Sequence, residues 1–494
     1  MALLAPRSPR VLVVGLDCVP PSLAFDRLAS EMPVLSGLRA RGVSARLRST
    51  TPPITVPAWA SMTSGRDPGE LGLYGFRNRV RGELGLRLAT SRDVRLPRVW
   101  DLLGRAGHRV AVVGVPPTSP PPGVRGALVS CLLQPDTSTP WTFPAGLAPW
   151  LEARVGPYRF DVAGFRRRPP AAVLDELHRM SEQRFEVARL LWRGGAPGLR
   201  TPPDFLMVVD MGPDRLHHLA WPHLDPSDPR HDPKDPMVAA ARGYYAALDE
   251  ALGRLLSEVD LNETTVLVVS DHGARRLEGG FLINRWLEAR GLLTLRRPRP
   301  ERPVPFDPEL VDWERTKAWG EGGYHARLCL NRRDREPGGV LGRDEAERLR
   351  DELETAFRRM RDPATGAPMG HRVVRPEATY RLVRGLPPDL LVFFGDLRLR
   401  ALGSIGGPLP EPDDLSGMLT PTDDRGADGA NHDWDGIFVA AGRGVDRPGA
   451  AGGIPLESLP TRPIAAVTPT ILARFGLSPP PDLPEPTDLL GPGG

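Results

Sequence analysis

Short runs of continuous, β-branched apolar residues that end on an acid constrain this chain more than any other feature. Val11-Leu12-Val13-Val14-Gly15-Leu16 runs into Asp17, Phe205 to Val209 runs into Asp210, and Thr265 to Val269 runs into Ser270-Asp271-His272-Gly273. A strand with one wet face alternates apolar and polar residues, whereas a strand covered on both faces reads as an unbroken apolar run. Arg109 to Val115 and Gly436 to Ala441 read the same way. Helical patterns lie between these runs. Apolar residues recur at helical spacing from Met237 to Val259 (Tyr244, Ala247, Leu248, Leu252, Leu255, Leu256), Val99 to Ala106 stops at Gly107, and Thr468 to Phe475 stops at Gly476. A further helical pattern covers Ser36 to Arg41. The alternation predicts an α/β fold with a mostly parallel central sheet. Ligands of such sheets collect beyond the carboxyl ends of the strands, where these acids fall.

The chain has 494 residues, 40% hydrophobic and 25% charged, as expected of a globular protein. Its net charge is +3, from 64 basic and 61 acidic residues, which excludes nucleic acid as an obligate partner. The basic clusters at Arg166-Arg167-Arg168 and Arg296 to Arg302 read as solvated surface. The 57 prolines and 53 glycines fall between apolar runs without a period, so they mark turns and loops. Cys18, Cys131 and Cys329 are scattered and show no CxxC spacing, which argues against a disulfide framework or a thiolate zinc site. The first apolar run is too short for a signal peptide, and no window approaches the roughly 20 apolar residues of a membrane helix. The expectation is a cytoplasmic protein without membrane partners. One catalytic domain spans 10–480. Less regular, Arg- and Pro-rich segments at about 145–200 and 285–400 read as insertions or a cap, and 481–494 as a Pro/Gly-rich tail.

Taken singly, the candidate site residues are ambiguous. Asp214 and His218 are four apart, so on a helix they share a face, which suits a divalent metal; an Asp at a helix start is equally at home as a cap. Asp271-His272 follows a buried strand, and Gly273 lets a turn bring both to one region, yet a plain turn reads the same. His432 stands alone. His217, His223 and His231 default to supporting or surface positions. Asp210 is either a partner of a metal-bound histidine or a helix cap. Together, Asp17, Asp214, Asp271, His218, His272 and His432 supply enough carboxylates and imidazoles for two metal sites, a clamp suited to in-line phosphoryl displacement. A hydroxyl nucleophile is then required, and the Thr55-Val56-Pro57 segment offers one.

The motifs in order are VVGLDC from Val13, PPITVPAWASMTSGRDPGELGLYGF from Pro52, DRLHHLAW from Asp214, VVSDHG from Val268, WGEGGYHARLCLN from Trp319, DLLVFFGDLRLRALGSIG from Asp389, GANHDWDGIFVAAG from Gly429, and VTPTILARFGL ending at Leu477. In this series the chain resembles the alkaline phosphatase superfamily, in its type I phosphodiesterase and nucleotide pyrophosphatase branch, over nearly its whole length. The resemblance implies a three-layer core with a mostly parallel sheet flanked by helices. It makes Thr55 the nucleophile, which forms a phospho-threonine intermediate later hydrolysed by water. It makes Asp17, Asp271 and His272 the ligands of the metal that also binds Thr55, and Asp214, His218 and His432 the ligands of a second. The metals implied are two divalent ions, zinc or alternatively manganese, and the partner is a small-molecule phosphate ester.

One position departs from the family pattern. Nucleotide pyrophosphatases usually carry Asn three residues after the nucleophile; here Ala58 stands there and cannot donate to a phosphate oxygen. Pro-Ala-Trp is usual in the predicted phosphohydrolase and phosphomutase proteins that the chain most resembles, so the departure points to a different substrate. Trp59, Arg79, Tyr324, His325 and Arg327 are candidate substrate contacts, with Trp59 alternatively packing beneath the nucleophile turn. Phosphodiester or pyrophosphate cleavage is favoured over a phosphomonoesterase or phosphomutase on the same scaffold. A sulfatase lacks support because no C/S-x-P-S-R segment surrounds Thr55. A non-catalytic binding protein would have lost ligands, and all are present.

Overall fold

The computed structural model describes residues 9–421, 428–445, 456–483 and 489–490. The chain divides into two compact units, one of Met1–Leu71, Ala89–Ala274 and Asp433–Gly494, the other of Gly72–Leu88 and Arg275–His432.

The first unit is built on a nine-stranded sheet. From edge to edge its strands are Thr461–Pro463, Val43–Arg48, Asp435–Gly442, Thr264–Val269, Arg10–Leu16, Phe205–Asp210, Val110–Val113, Gly126–Val129 and Thr142–Phe143. The centre is parallel: Val14 lies opposite Val208 on one side and Val268 on the other. These strands are buried on both faces, which is why their sequence shows no alternation. Asp435–Gly442 runs antiparallel to both of its neighbours. The apolar run marked this strand in the sequence, but its direction is set by the partners it meets.

Helices cover the sheet. Pro236–Leu256 starts at Asp235, whose side chain accepts from the Met237 N–H, and buries Tyr244, Leu248, Leu252 and Leu255. Pro170–Arg193, within the Arg-rich 145–200 segment, packs on Phe205–Asp210 and on helices Gly212–Leu224 and Pro236–Leu256. Its buried stripe of Val173, Leu177, Met180, Ala188 and Leu191 is amphipathic; the charges that made the segment look irregular occupy the other face. No helix among the described residues is long and apolar enough to cross a membrane.

The second unit holds the whole 285–400 segment and has its own core. A four-stranded antiparallel sheet runs Ala318–Glu321, Ala326–Leu330, Leu390–Phe393, Arg372–Val374, and a three-stranded sheet runs Leu399–Leu402, Gly279–Leu282, Leu419–Thr420. Trp286, Trp319, Phe281, Phe357 and Phe394 fill its interior. The 481–494 tail lies partly outside the described residues.

One glycine decides how the nucleophile helix seats on the sheet. A Cβ on Gly15 would come within 2.4 Å of Trp59 Cη2 and 2.8 Å of Val209 Cγ2. The missing side chain lets the Trp59 ring lie flush against the central strand. Gly15→Ala is therefore expected to destabilise the protein by about 1–3 kcal/mol, read as a lowered urea midpoint. An unchanged midpoint would mean that the ring has room to shift.

Candidate active site

The carboxyl ends of the central strands are laced together by short backbone contacts. Asp17 N donates to Asp210 O at 3.0 Å, extending the parallel register one residue past the strand. Cys18 then turns the chain with φ 68°, a left-handed conformation that is costly for a residue with a Cβ. In return Cys18 N donates to Asp271 Oδ1 at 3.2 Å and Val19 N to Ser270 Oγ at 2.8 Å, while Ser270 Oγ donates to His272 O at 2.7 Å. This turn sets Asp17 beside Asp271 and His272.

Four predicted site residues, Asp17, Thr55, Asp271 and His272, converge here and are at most 1% exposed. His272 Nδ1 lies 3.1 Å from Gly273 O and must donate to it, so the neutral ring offers its Nε2 lone pair to the interior. Nε2 is 3.3 Å from Thr55 Oγ1, 3.2 Å from Asp271 Oδ2 and 3.6 Å from Asp17 Oδ1. Neither of those carboxylate oxygens has a hydrogen-bond partner among the described residues, although both are buried. Asp17 Oδ2 accepts from Trp59 Nε1 at 2.6 Å. Burial pushes both carboxyl groups well above the usual carboxylate range; Asp214 adds to this for Asp17, and Asp17 does so for Asp271. The site therefore concentrates lone pairs and negative charge with few donors. That arrangement fits a divalent cation, and oxygen plus imidazole donors suit zinc or manganese. The ligand atoms of Asp17, Asp271 and His272 lie within 4.8 Å of one another.

Asp214 and His218 occupy helix Gly212–Leu224, with Asp214 Oδ1 3.3 Å from His218 Nε2. Their spacing of four residues brings them to one face, as the helical reading of the sequence requires. Asp214 Oδ2 also accepts from Arg215, which is held by Asp161 at 2.7 and 2.8 Å. His217 points elsewhere, with Nε2 2.6 Å from Tyr245 Oη. His223 lies 3.2 Å from Asp235, and His231 Nδ1 donates to Pro222 O. Asp210 accepts from Ser181 Oγ at 2.7 Å and from the backbone of Gly212, so it caps the helix that bears Asp214.

The remaining candidates belong to the second unit, apart from Trp59. His432, on strand Ala430–Asp433, is that unit's last residue; the Tyr324 ring stacks on it at 3.7 Å between centroids. Asn431 Nδ2 donates to Leu397 O at 2.8 Å and Tyr324 O at 3.2 Å, tying this strand to its neighbours. Arg79 is buried and ion-paired with Glu336, and Arg327 pairs with Glu321 at 3.1 Å. His325 is buried, neither ring nitrogen is hydrogen-bonded among the described residues, and burial holds it well below the usual histidine range. Trp59 is fully buried and offers no face on which a base or sugar could stack. Two contributors left no mark in the sequence. Cys18 Sγ lies with Asp214 and His272 in a group whose ligand atoms are within 4.8 Å of one another, and Arg215 supplies charge to Asp214. No spacing rule points to either, because both act through the fold.

The chain matches the family model of type I phosphodiesterase / nucleotide pyrophosphatase over residues 11–390 and belongs to that family. The family is a group of metal-dependent phosphoester hydrolases, which places the chain among hydrolases acting on phosphoric ester bonds. Phosphonoacetate hydrolase from Sinorhizobium meliloti, solved with phosphonoformate, is 17% identical with a TM-score of 0.53, covering 87% of this chain and 90% of its own. Human ectonucleotide pyrophosphatase / phosphodiesterase 5 is 13% identical with a TM-score of 0.49, covering 96% of each chain. No curated protein matches the chain.

Asp210 supports the site without belonging to it. Asp210→Ala removes a cap and leaves the buried Ser181 and Tyr244 hydroxyls without their acceptor. The expected loss is about 1–3 kcal/mol, seen as a lowered denaturation midpoint. A midpoint equal to wild type would remove Asp210 from the support of this helix.

Proposed function

We propose that this chain hydrolyses small-molecule phosphate esters, phosphodiesters or pyrophosphates in preference, through a phospho-threonine intermediate on Thr55. The observation that carries the reading is the buried Thr55 hydroxyl 3.3 Å from His272 Nε2, inside a set of carboxylates and imidazole short of positive charge. Asp17, Thr55, Asp271 and His272 would hold one divalent ion, and Asp214, His218 and His432 a second, zinc or manganese. When bound, such ions lower the pKa of a hydroxyl and neutralise charge on phosphate oxygens.

The chain's own residues do the rest. Thr55 opens helix Thr55–Ser64, so the N–H groups of Thr55 and Val56 have no carbonyl four residues back to bond within the helix. They face the phosphate anion at the positive end of the helix dipole. This main-chain cradle stands in for the side-chain donor that Ala58 lacks. Pro57 sits in the first turn, where its missing N–H costs little. Thr55 Oγ1 bonds to phosphorus as the bond to the leaving oxygen breaks. Water then attacks the same phosphorus and the bond to Thr55 Oγ1 breaks, which restores the hydroxyl and releases the phosphate monoester left from a diester, or inorganic phosphate from a monoester. Trp59 holds Asp17 in position through its indole N–H. The three cysteines are buried and unpaired, which suits a reducing compartment, and the cytoplasm is the proposed location.

The test compares hydrolysis of bis-p-nitrophenyl phosphate, p-nitrophenyl phosphate and phosphonoacetate in the presence of zinc or manganese. Thr55→Ala is expected to cut kcat by about ten-thousandfold, and Thr55→Ser to retain part of it. Chelation is expected to abolish turnover, and returned metal to restore it. Preference for the monoester would move the assignment to a phosphatase or mutase. Full activity in Thr55→Ala would remove the phospho-threonine.

Trp59→Phe keeps the ring but loses the bond to Asp17. It is expected to weaken metal retention about tenfold, measured as metal content after dialysis against graded chelator. Retention equal to wild type would leave the indole N–H without a part in positioning Asp17.

A further inference from the structure

A cavity of ≈ 640 Å³ opens in the first unit against helices Pro170–Arg193 and Pro236–Leu256, within the size range of small-molecule sites. None of the residues assigned above to the phosphohydrolase site lines it. One wall is apolar, formed by Ala247, Leu248 and Ala251. Three arginines, Arg154, Arg159 and Arg179, also line it. Arg154 stacks over Trp150 at 3.9 Å, but the Arg159 and Arg179 guanidiniums make no ion pair among the described residues. The lining carboxylates do not cancel this charge. Glu182 is paired with Arg254, and Glu186 with Arg189.

Ser181 and Tyr244 line the cavity too, and their hydroxyls lie 2.7 Å apart. Asp210 fixes both, accepting from Ser181 at 2.7 Å and from Tyr244 at 3.4 Å. This wall is set before any ligand arrives, which lowers the ordering cost of binding. Two arginines without ion-pair partners select an anion, and the apolar wall selects a hydrocarbon body.

We infer that this cavity is a second ligand site, separate from Thr55, that takes a small organic anion with an apolar body. The probe is 8-anilinonaphthalene-1-sulfonate, with uncharged N-phenyl-1-naphthylamine as its control, followed by fluorescence on the full chain. Saturable 1:1 binding of the sulfonate is expected, tighter than that of the control. The double variant Arg159→Ala, Arg179→Ala should weaken sulfonate binding about tenfold and leave the control nearly unchanged. Ala247→Trp fills the cavity from the apolar side and should remove binding of both. Circular dichroism and the thermal midpoint check each variant, and Arg159→Gln with Arg179→Gln replaces the double alanine if that chain does not fold. Sulfonate binding that is not saturable, or that survives either the arginine changes or Ala247→Trp, overturns the inference.

Discussion

Two carboxylates, Asp17 and Asp271, are held side by side out of water, each with an oxygen that no hydrogen bond reaches among the described residues. Burying one unpaired charge is expensive, and burying two together is more so. The surrounding structure is organised to hold this unfavourable arrangement. The left-handed turn at Cys18, the Ser270 hydroxyl bridging two backbones, and the Trp59 indole on Asp17 all fix atoms that would otherwise move apart. Gly15 belongs to the same device, since only a residue without a Cβ lets Trp59 approach the strand. Strain of this kind persists where the neighbours over-determine it, and it collects at functional sites. The divalent cation proposed for this site would relieve the repulsion that the fold maintains.

The helical layer meets the same constraint from the other side. Asp210 and Asp214 stand four residues apart and have different tasks. Asp210 is surrounded by donors, from Ser181, Tyr244 and the start of the helix, and acts as structure. Asp214 meets His218 and Arg215, a set that positions the carboxylate. Adjacent tyrosines on Pro236–Leu256 hold this region, Tyr244 at Asp210 and Tyr245 at His217. The cavity that borders Tyr244 therefore touches the support of the site without touching the site.

In the second unit, charge is mostly satisfied internally. Arg79 with Glu336, and Arg335 with Asp389 at 2.5 Å, form buried pairs that the sequence presents only as scattered Arg and Glu. An arginine read from sequence as a phosphate contact is thus placed as part of a core. Ion pairs between residues hundreds of positions apart leave no local pattern, so sequence reasoning overestimates how many cations are available to a ligand.

The sequence by itself determined the parallel centre of the sheet, several of the helices that cover it, though not Pro170–Arg193, and the clustering of acids at strand ends. Each of these follows from local periodicity: strands buried on both faces are continuously apolar, helices carry their stripe, and Asp214 with His218 needs only a helix to share a face. Tertiary structure alone decided the antiparallel direction of Asp435–Gly442, the outer strands Val43–Arg48 and Gly126–Val129 next to the edges, and the independent core of the second unit. It also decided that Trp59 serves Asp17, that Asp210 is a cap, and that Cys18 and Arg215 stand beside the site. The physical reason is range. Propensity and amphipathicity act over a few residues, whereas hydrogen bonds and desolvation at this site join Asp17, Thr55, Asp214 and Asp271, which only the folded chain brings within reach of one another.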